Sequence, residues 1–338
     1  MHRNSLVAIL AILTVIFGGL LYFKSEIGAV NIPQSAGFSA IATTTPQGLS
    51  GFTLPSGFSM HIFTKDVPDA RVMALSPDGA LLVSEPSLGV VVALLDEDGD
   101  GRGERKDTVI SGLRRPHGLA FDCATEPCDL YIAEEDSVAV YDYNAQTRKA
   151  QSGKQIVELP DGGGHYTRSL LFMGVSDERT LLISVGSSCN VCIEKDAARA
   201  AILAYNTVTE DTTIFATGLR NSVFMTLHPV TGAVWATDMG RDSLGDDLPP
   251  EEINIIEKGK NYGWPYCYGK NIHDSNFDPQ NKISCSGMAP SAVDMQAHSA
   301  PGEKYSSGNC RSWLLSKKPA PCPVIDSEHA ECSKQPPR

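Results

Sequence analysis

Four stretches of the chain repeat one arrangement of polar and apolar positions. They are RVMALSPDGALLVSE (71–85), RPHGLAFDCATEPCDLYIAEE (115–135), RSLLFMGVSDERTLLISVG (168–186) and RNSVFMTLHPVTGAVWATD (220–238). Each opens on a polar head, runs through a short apolar strand, turns, returns through a second apolar strand and closes on a polar end. Period-2 patterning with no 3.6-residue stripe predicts β-hairpins and excludes a solenoid of helices. The second strands recur about every 50 residues, the length of a four-stranded propeller blade. SVAVYDYN and AILAYNTV, lying between the hairpins, suit outer strands. The predicted fold class is therefore all-β, a β-propeller.

Hairpin geometry then says where the chemistry collects. In an antiparallel pair joined by a tight turn, the start of the first strand and the end of the second lie at the same edge. The turns SPDG and HPVTG fall on one face of the molecule, so the heads and ends fall together on the other. Heads contribute Arg71, His117, His165, Arg168, Arg220 and Asn221, and ends contribute Glu85, Glu134 and Asp238. The glycines of DGGGHYTR let the backbone turn into an innermost strand and leave room for a ligand, which puts His165 and Arg168 at a site. Several converging cations favour an anionic, planar ligand held by forked hydrogen bonds. The competing reading is structural: arginine–carboxylate pairs staple neighbouring blades, and a buried histidine satisfies a backbone carbonyl.

Composition narrows the partners and the compartment. With 338 residues, 42% hydrophobic, the chain is long enough for a large core. A net charge of -12 with no basic block argues against nucleic acid. Thirty glycines and 21 prolines agree with a turn-rich β protein. Residues 6–23 form an uncharged apolar run between Arg3 and Lys24. It reads as an export signal that stays uncleaved as a membrane anchor, against the alternative of a buried core helix. The expected layout is a signal or anchor over 1–30, a linker over 31–50, a propeller over 51–301 and an irregular tail over 302–338. Nine cysteines agree with an oxidising, extracytoplasmic compartment. Cys123 with Cys128, Cys189 with Cys192, and Cys267 with Cys285 are three local disulfide candidates. A zinc site would want a second ligand pair at matching spacing, and the sequence has none.

Two acidic stretches are candidate calcium sites. DEDGDGRGERKD (96–107) sets Asp96, Asp98 and Asp100 at the first three ligand positions of an EF-hand-like loop, with Asp107 at the twelfth, and its alternative is a plain exposed turn. TDMGRDSLGDDLPPEEINIIEKGKNYGWP (237–265) crowds Asp238, Asp242, Asp246, Asp247, Glu251 and Glu252 on the site side. A hard cation would gather such oxygens with backbone carbonyls, and the alternative is a solvated acidic loop.

Together, GGHYTRSL, VGSSCNVC, ATGLRNS, DMGRD, DDLPPEEIN and NYGWPYCYG resemble the soluble quinoprotein glucose/sorbosone dehydrogenases, with the pyranose and sorbosone branch most similar. The likeness runs from about Gly51 to Pro301. It implies a six-bladed β-propeller carrying pyrroloquinoline quinone (PQQ) and calcium on one face, of which this length holds about four to five blades. By motif, His165 is similar to the catalytic base that takes the proton of a sugar hydroxyl while hydride passes to the quinone. The likeness implies that Arg220 and Asn221 bind the cofactor, the arginine also stabilising developing charge. Arg71, His117, Arg168 and Asn190 complete the expected cofactor-binding set. Gly240 and Arg241 match the pair whose carbonyls hold the cofactor's calcium, and Glu251 and Glu252 fall where the family has acids near a second calcium.

The likeness also has departures. Ser187 stands where the glucose branch has an acid, which leaves the partner orienting His165 open, with Asn190 as one stand-in. Arg241 replaces a proline. After Pro301 the repeat pattern stops and three further cysteines follow, as in a frameshifted or truncated terminus. Missing blades would expose strand edges and weaken cofactor binding, so the chain is expected to be inactive as written. The expected reaction is PQQ- and calcium-dependent oxidation of a sugar or aldehyde, with electrons leaving to a cytochrome or quinone. Two alternatives are a calcium-dependent propeller lactonase and a non-catalytic binding propeller tethered through residues 6–23.

Overall fold

The structure, a computed structural model, describes residues 54, 58–123, 127–173, 179–245 and 247–295. The chain divides between Ile62 and Phe63 into two compact units. The described residues of the first carry no strand or helix. Residues 6–23, the linker over 31–50, Asp246 and the tail over 302–338 lie outside the described residues.

From Phe63 onward the unit is built of four antiparallel sheets of four strands, strung along the chain. The first holds β1 (Met73–Leu75), β2 (Leu81–Glu85), β3 (Val90–Leu95) and β4 (Arg105–Ser111). The second holds β5 (Leu119–Asp122), β6 (Asp129–Ala133), β7 (Ser137–Asn144) and β8 (Lys149–Glu158). The third holds β9 (Leu170–Met173), β10 (Thr180–Val185), β11 (Ala201–Asn206) and β12 (Thr212–Thr217). The fourth starts with β13 (Met225–Leu227), β14 (Val234–Asp238) and β15 (Glu251–Ile256). A detour through the small hairpin β16 (Cys267–Tyr268) and β17 (Ile272–His273) precedes its outer strand β18 (Val293–Met295). The first strands of consecutive sheets, β1, β5, β9 and β13, are neighbours in space, which is the packing of propeller blades. The predicted repeat is therefore present as four blades, and SVAVYDYN is the third strand of its blade.

The second strands of the second and third blades are near-continuous apolar runs because those blades are covered on both faces. Leu130 and Ile132 of β6 pack with Leu82, Val91 and Ala93 of the first sheet. Their neighbours Tyr131 and Ala133 point the other way, against Leu181, Ile183 and Val185 of the third. Leu182, one residue out of step, packs with Val234 and Ala236 of the fourth. Each such fully buried leucine or isoleucine contributes roughly 1.5–3 kcal/mol through removal from water. The face of the fourth sheet turned away from the third leaves Ile255, Val293 and Met295 exposed. Where inner strands of successive blades meet, side chains run out of room: a Cβ on Gly118 would collide with the Arg168 carbonyl.

Far-end turns are stapled between blades. Asp78 of the SPDG turn accepts from Tyr143 Oη at 3.0 Å and from Arg148 Nε at 2.7 Å, both in the second blade. Three disulfides form at the predicted pairs, Cys123–Cys128, Cys189–Cys192 and Cys267–Cys285. The two cysteines of the CxxC stretch thus bind each other.

Candidate functional site

The heads of the third and fourth hairpins meet around Gly186, where β10 ends. A Cβ built on Gly186 would lie 2.6 Å from His165 Cβ and 2.8 Å from Asn221 Oδ1, so His165 and Asn221 converge on one notch. The Ser187 amide donates to the Arg220 carbonyl at 2.8 Å, closing the gap between the two heads. Gly162 and Gly163 adopt positive φ (68° and 87°) in the loop that leads into His165. A Cβ on Gly163 would lie 2.7 Å from Ser188 Cα, so the loop can lie on the Ser187–Ser188 backbone only with glycine there.

Hydrogen bonding fixes the tautomer of His165. Its Nδ1 lies 2.9 Å from Ser187 Oγ and 3.1 Å from the Ser187 carbonyl. Ser187 Oγ donates its own proton to the Cys189 carbonyl at 2.7 Å. Both atoms facing Nδ1 are thus acceptors, so Nδ1 carries the proton and Nε2 carries the lone pair. Among the described residues Nε2 makes no hydrogen bond. Burial, and after it the charge of Arg220, pushes the His165 pKa down to about 4, so the ring is neutral at neutral pH. The partner orienting His165 is Ser187, not Asn190.

Asn190 serves Arg220 instead. The guanidinium donates from Nε to the Asn190 carbonyl at 2.9 Å, from Nη2 to Asn190 Oδ1 at 2.9 Å and from Nη1 to the Met239 carbonyl at 3.2 Å. Asp242 Oδ2 lies 3.6 Å away. These three hydrogen bonds and the Asp242 charge hold the guanidinium, which is buried at 3% exposure. Asn221 Oδ1 is buried without a hydrogen-bond partner, beside Gly186. The backbone of this pair is pinned by Asp238, which accepts from the amides of Arg220 at 3.0 Å and Asn221 at 2.7 Å.

Behind them lies a concave pocket whose wall includes Arg220, Asp238, Gly240, Arg241, Glu252 and Asp274. Asp238 and Glu252 are register partners on β14 and β15, both buried. Burial first, and the Glu252 carboxylate second, pushes Asp238 up to about 8, and burial also raises Glu252. Each carboxylate thus makes it harder to charge the other. Arg241 Nη1 pairs with Asp274 at 3.1 Å, and Glu251 is buried next to Glu252.

Other sequence candidates are placed differently. His117 and Arg168, expected at the ligand, are both 0% exposed and follow the structural reading. Arg168 donates to the carbonyls of Thr167 at 2.7 Å and Pro160 at 2.6 Å, and burial pulls its pKa down to about 10, still cationic. His117 Nε2 accepts from Arg71 Nε at 3.2 Å, and burial, then Arg71's charge, drops its pKa to about 3. Glu85 is buried against Lys106 at 2.9 Å, and Glu134 accepts from the Arg114 amide. The loop with Asp96, Asp98 and Asp100 joins β3 to β4 at the far end of its blade, away from this site. There Glu104 joins the three aspartates with oxygens within 4.8 Å of one another, all exposed. Their carboxylates accept from loop amides, Gly99 and Gly101 on Asp96, Asp100 on Asp98 and Arg102 on Asp100. Asp107 does not close the loop as a twelfth ligand, because it pairs with Arg105 at 2.6 Å.

One structural residue escaped the pattern of hairpin heads. Arg199 Nη2 donates to the carbonyls of Pro160, Asp161 and Gly162 at 2.8, 2.6 and 2.6 Å, and Nη1 reaches those of His165 and Gly186 at 3.4 Å. Its signal was a lone arginine just before AAILAY, at the site end of a third strand rather than a first. Arg199→Met removes the donor from the part-buried carbonyls of Asp161 and Gly162 and the second donor from that of Pro160, and should lower unfolding stability by about 2 kcal/mol in urea titrations. A loss below about 1 kcal/mol would mean that water or Arg168 takes over.

Residues 52–312 match the model of a family described as TrAA12-like. An uncharacterized protein of Borreliella burgdorferi is 28% identical over 80% of this chain and 71% of its own length. A pyrroloquinoline quinone-dependent sugar dehydrogenase of Hypocrea jecorina is 26% identical over 63% of this chain, which spans only 56% of that protein. Among solved structures, the calcium structure of the Trichoderma reesei family AA12 enzyme superposes with a TM-score of 0.62 at 24% identity, covering 70% of each chain. The holo PQQ domain of Coprinopsis cinerea pyranose dehydrogenase gives 0.57 at 20% identity, covering 64% of this chain and 59% of that one. Both superpositions bear on the fold.

Proposed function

The chain belongs to the TrAA12-like family, and from that premise we propose that it is an oxidoreductase that binds PQQ and calcium and oxidises a sugar or aldose-type aldehyde, with His165 as general base. The observation carrying this reading is the neutral, Ser187-oriented imidazole, which meets Asn221 at Gly186, feels the Arg220 charge and makes no hydrogen bond from Nε2 among the described residues. A group next to the reacting hydroxyl must be able to accept a proton at working pH, and this one is.

The group that would hold a planar tricarboxylate is the Arg220 guanidinium, a planar cation that borders the concave pocket, with Asn221 buried next to it in the chain. The residues also fit a hard cation: Gly240 and Arg241 line a pocket together with the buried carboxylates of Asp238 and Glu252. When bound, PQQ supplies the hydride acceptor and calcium the Lewis acid that polarises it. His165 Nε2 takes the substrate hydroxyl proton, and the Ser187–Cys189 relay keeps the ring turned for it. Arg220 holds an anionic group and lies where negative charge develops. Arg71 sits further round the same rim, against His117. Gly240 and Arg241 would hold the calcium, and Glu251 and Glu252 would supply carboxylates near it.

A cytochrome or quinone is the electron acceptor, and export through residues 6–23 places the reaction in the periplasm or another extracytoplasmic space. Cofactor loading tests the reading. Purified chain is titrated with PQQ and calcium, by fluorescence quenching and by dye reduction with aldoses. Saturable calcium-dependent binding with turnover is the expected result. Absence of PQQ binding at millimolar calcium would overturn it, and binding without turnover would support the inactive, incomplete-propeller expectation.

A further inference from the structure

The Cys189–Cys192 loop touches both halves of the proposed machinery. Residues 187–194 carry no strand or helix. Backbone bonds with Gly164, His165 and Arg220 pin Ser187 and Ser188, and beyond them the loop is closed by the disulfide and by Glu194, which accepts from the Ser188 amide at 2.6 Å and from Ser188 Oγ at 2.7 Å. The first cysteine's carbonyl receives the Ser187 hydroxyl proton, which makes Ser187 Oγ an acceptor for His165. The next residue, Asn190, grips Arg220 through both its carbonyl and its side chain. Asn190 also takes the Asp242 amide at 2.8 Å, tying in the segment after Gly240.

We propose that the Cys189–Cys192 disulfide is a positioning device: it holds one short loop that sets the tautomer of His165 through Ser187 and the guanidinium plane of Arg220 through Asn190. Opened, the loop would let the Cys189 carbonyl turn away and Ser187 Oγ would become free to donate to Nδ1, in competition with the Ser187 carbonyl that still accepts there, so the two tautomers would mix. The Nε2–H fraction would be blocked as a base while Arg220 loses its clamp. The kinetic consequence rests on the dehydrogenase reading, whereas the geometric one does not.

The first readout needs no cofactor. Two-bond 1H–15N correlation spectra of 15N-histidine-labelled protein should show His165 as one Nδ1–H tautomer. C189A/C192A should convert it to a mixture with the Nε2–H form, while C123A/C128A, at the far-end turn of the second blade, should leave it as in the parent. PQQ affinity of C189A/C192A should fall about tenfold as the arginine fork loosens, and kcat of the loaded protein about 100-fold with KM little changed. A folded C189A/C192A protein with an unchanged His165 tautomer and unchanged PQQ affinity overturns the proposal. If the parent binds no PQQ, the functional reading falls, and the tautomer alone decides this one. If C189A/C192A does not fold, N190A and N190D decide. Asparagine's acceptor role passes to aspartate, so N190D should keep PQQ affinity and N190A lose it; equal behaviour of the two overturns the proposal.

Discussion

His165→Ala should lower kcat of the PQQ- and calcium-loaded protein by about 100- to 10,000-fold, the usual contribution of a positioned general base, with KM and PQQ affinity little changed. The expectation follows from what the side chain does not do. Its only described hydrogen bonds run from Nδ1 to Ser187, so its loss removes no blade-to-blade staple. His165→Ala should therefore fold with the parent's circular dichroism and urea midpoint. A residual rate within about tenfold of the parent would end the base assignment.

The same residue predicts a pH signature. An unperturbed histidine titrates near about 6.5, but burial and Arg220 hold this one at about 4. As a base it works only when neutral, so its lone pair is present above about pH 4 and lost as pH falls through that value. The cofactor-free protein is the right sample for an NMR titration, since a bound polyanion would raise the value. Folding linkage has the matching sign. Between about 4 and 6.5 the unfolded chain binds a proton that the folded one refuses, so this group makes stability rise with pH across that window and level off above it. A His165 titration at or above pH 6 would contradict the buried, Arg220-facing placement.

Arg220→Lys carries the second large effect. Lysine keeps the positive charge but not the planar fork, and the fork here contacts both Asn190 oxygens and the Met239 carbonyl. Charge-assisted hydrogen bonds contribute about 1.5–3 kcal/mol each, so losing one to the ligand should weaken PQQ binding about 10- to 100-fold in a fluorescence titration. Arg220→Met should do at least as much damage to binding. It should also raise the His165 titration point, because Arg220's charge is the second cause of that shift. The pair of variants separates fork from charge: Lys should leave the His165 value near the parent's, and Met should not. If both bind PQQ like the parent, Arg220 is a structural staple and nothing more.

Much of the fold was legible because its signal is local. Apolar runs bounded by SPDG and HPVTG mark hairpins wherever they occur, and second strands beginning at Leu81, Asp129, Thr180 and Val234 keep the predicted spacing. The cysteine pairs were legible for the same reason, since each closes a loop its own sequence defines. In the EF-hand-like stretch 96–107, Asp96, Asp98 and Asp100 do gather, with Glu104 beside them, while the twelfth position, Asp107, pairs with Arg105 instead. Spacing within a short loop was legible, whereas the partner of a strand residue was not.

Chain order alone settled that His165, Arg220 and Asn221 share an edge, since antiparallel pairing returns every hairpin's two ends to one side. It could not settle which of them face a ligand. Arg168 and Arg220 open their segments with the same grammar, RS and RN, yet one is sealed against Pro160 and Thr167 while the other is clamped at the notch. That difference comes from neighbours distant in sequence. The Pro160 carbonyl, at the entry to the glycine loop, takes Arg168, and a disulfide-closed loop takes Arg220 through Asn190. Likewise the His165 proton was assigned only once Ser187 was seen giving its own to Cys189. A side chain's direction is decided by which unsatisfied partners the packed blades bring within about 3 Å, and no reading of residue order contains that distance.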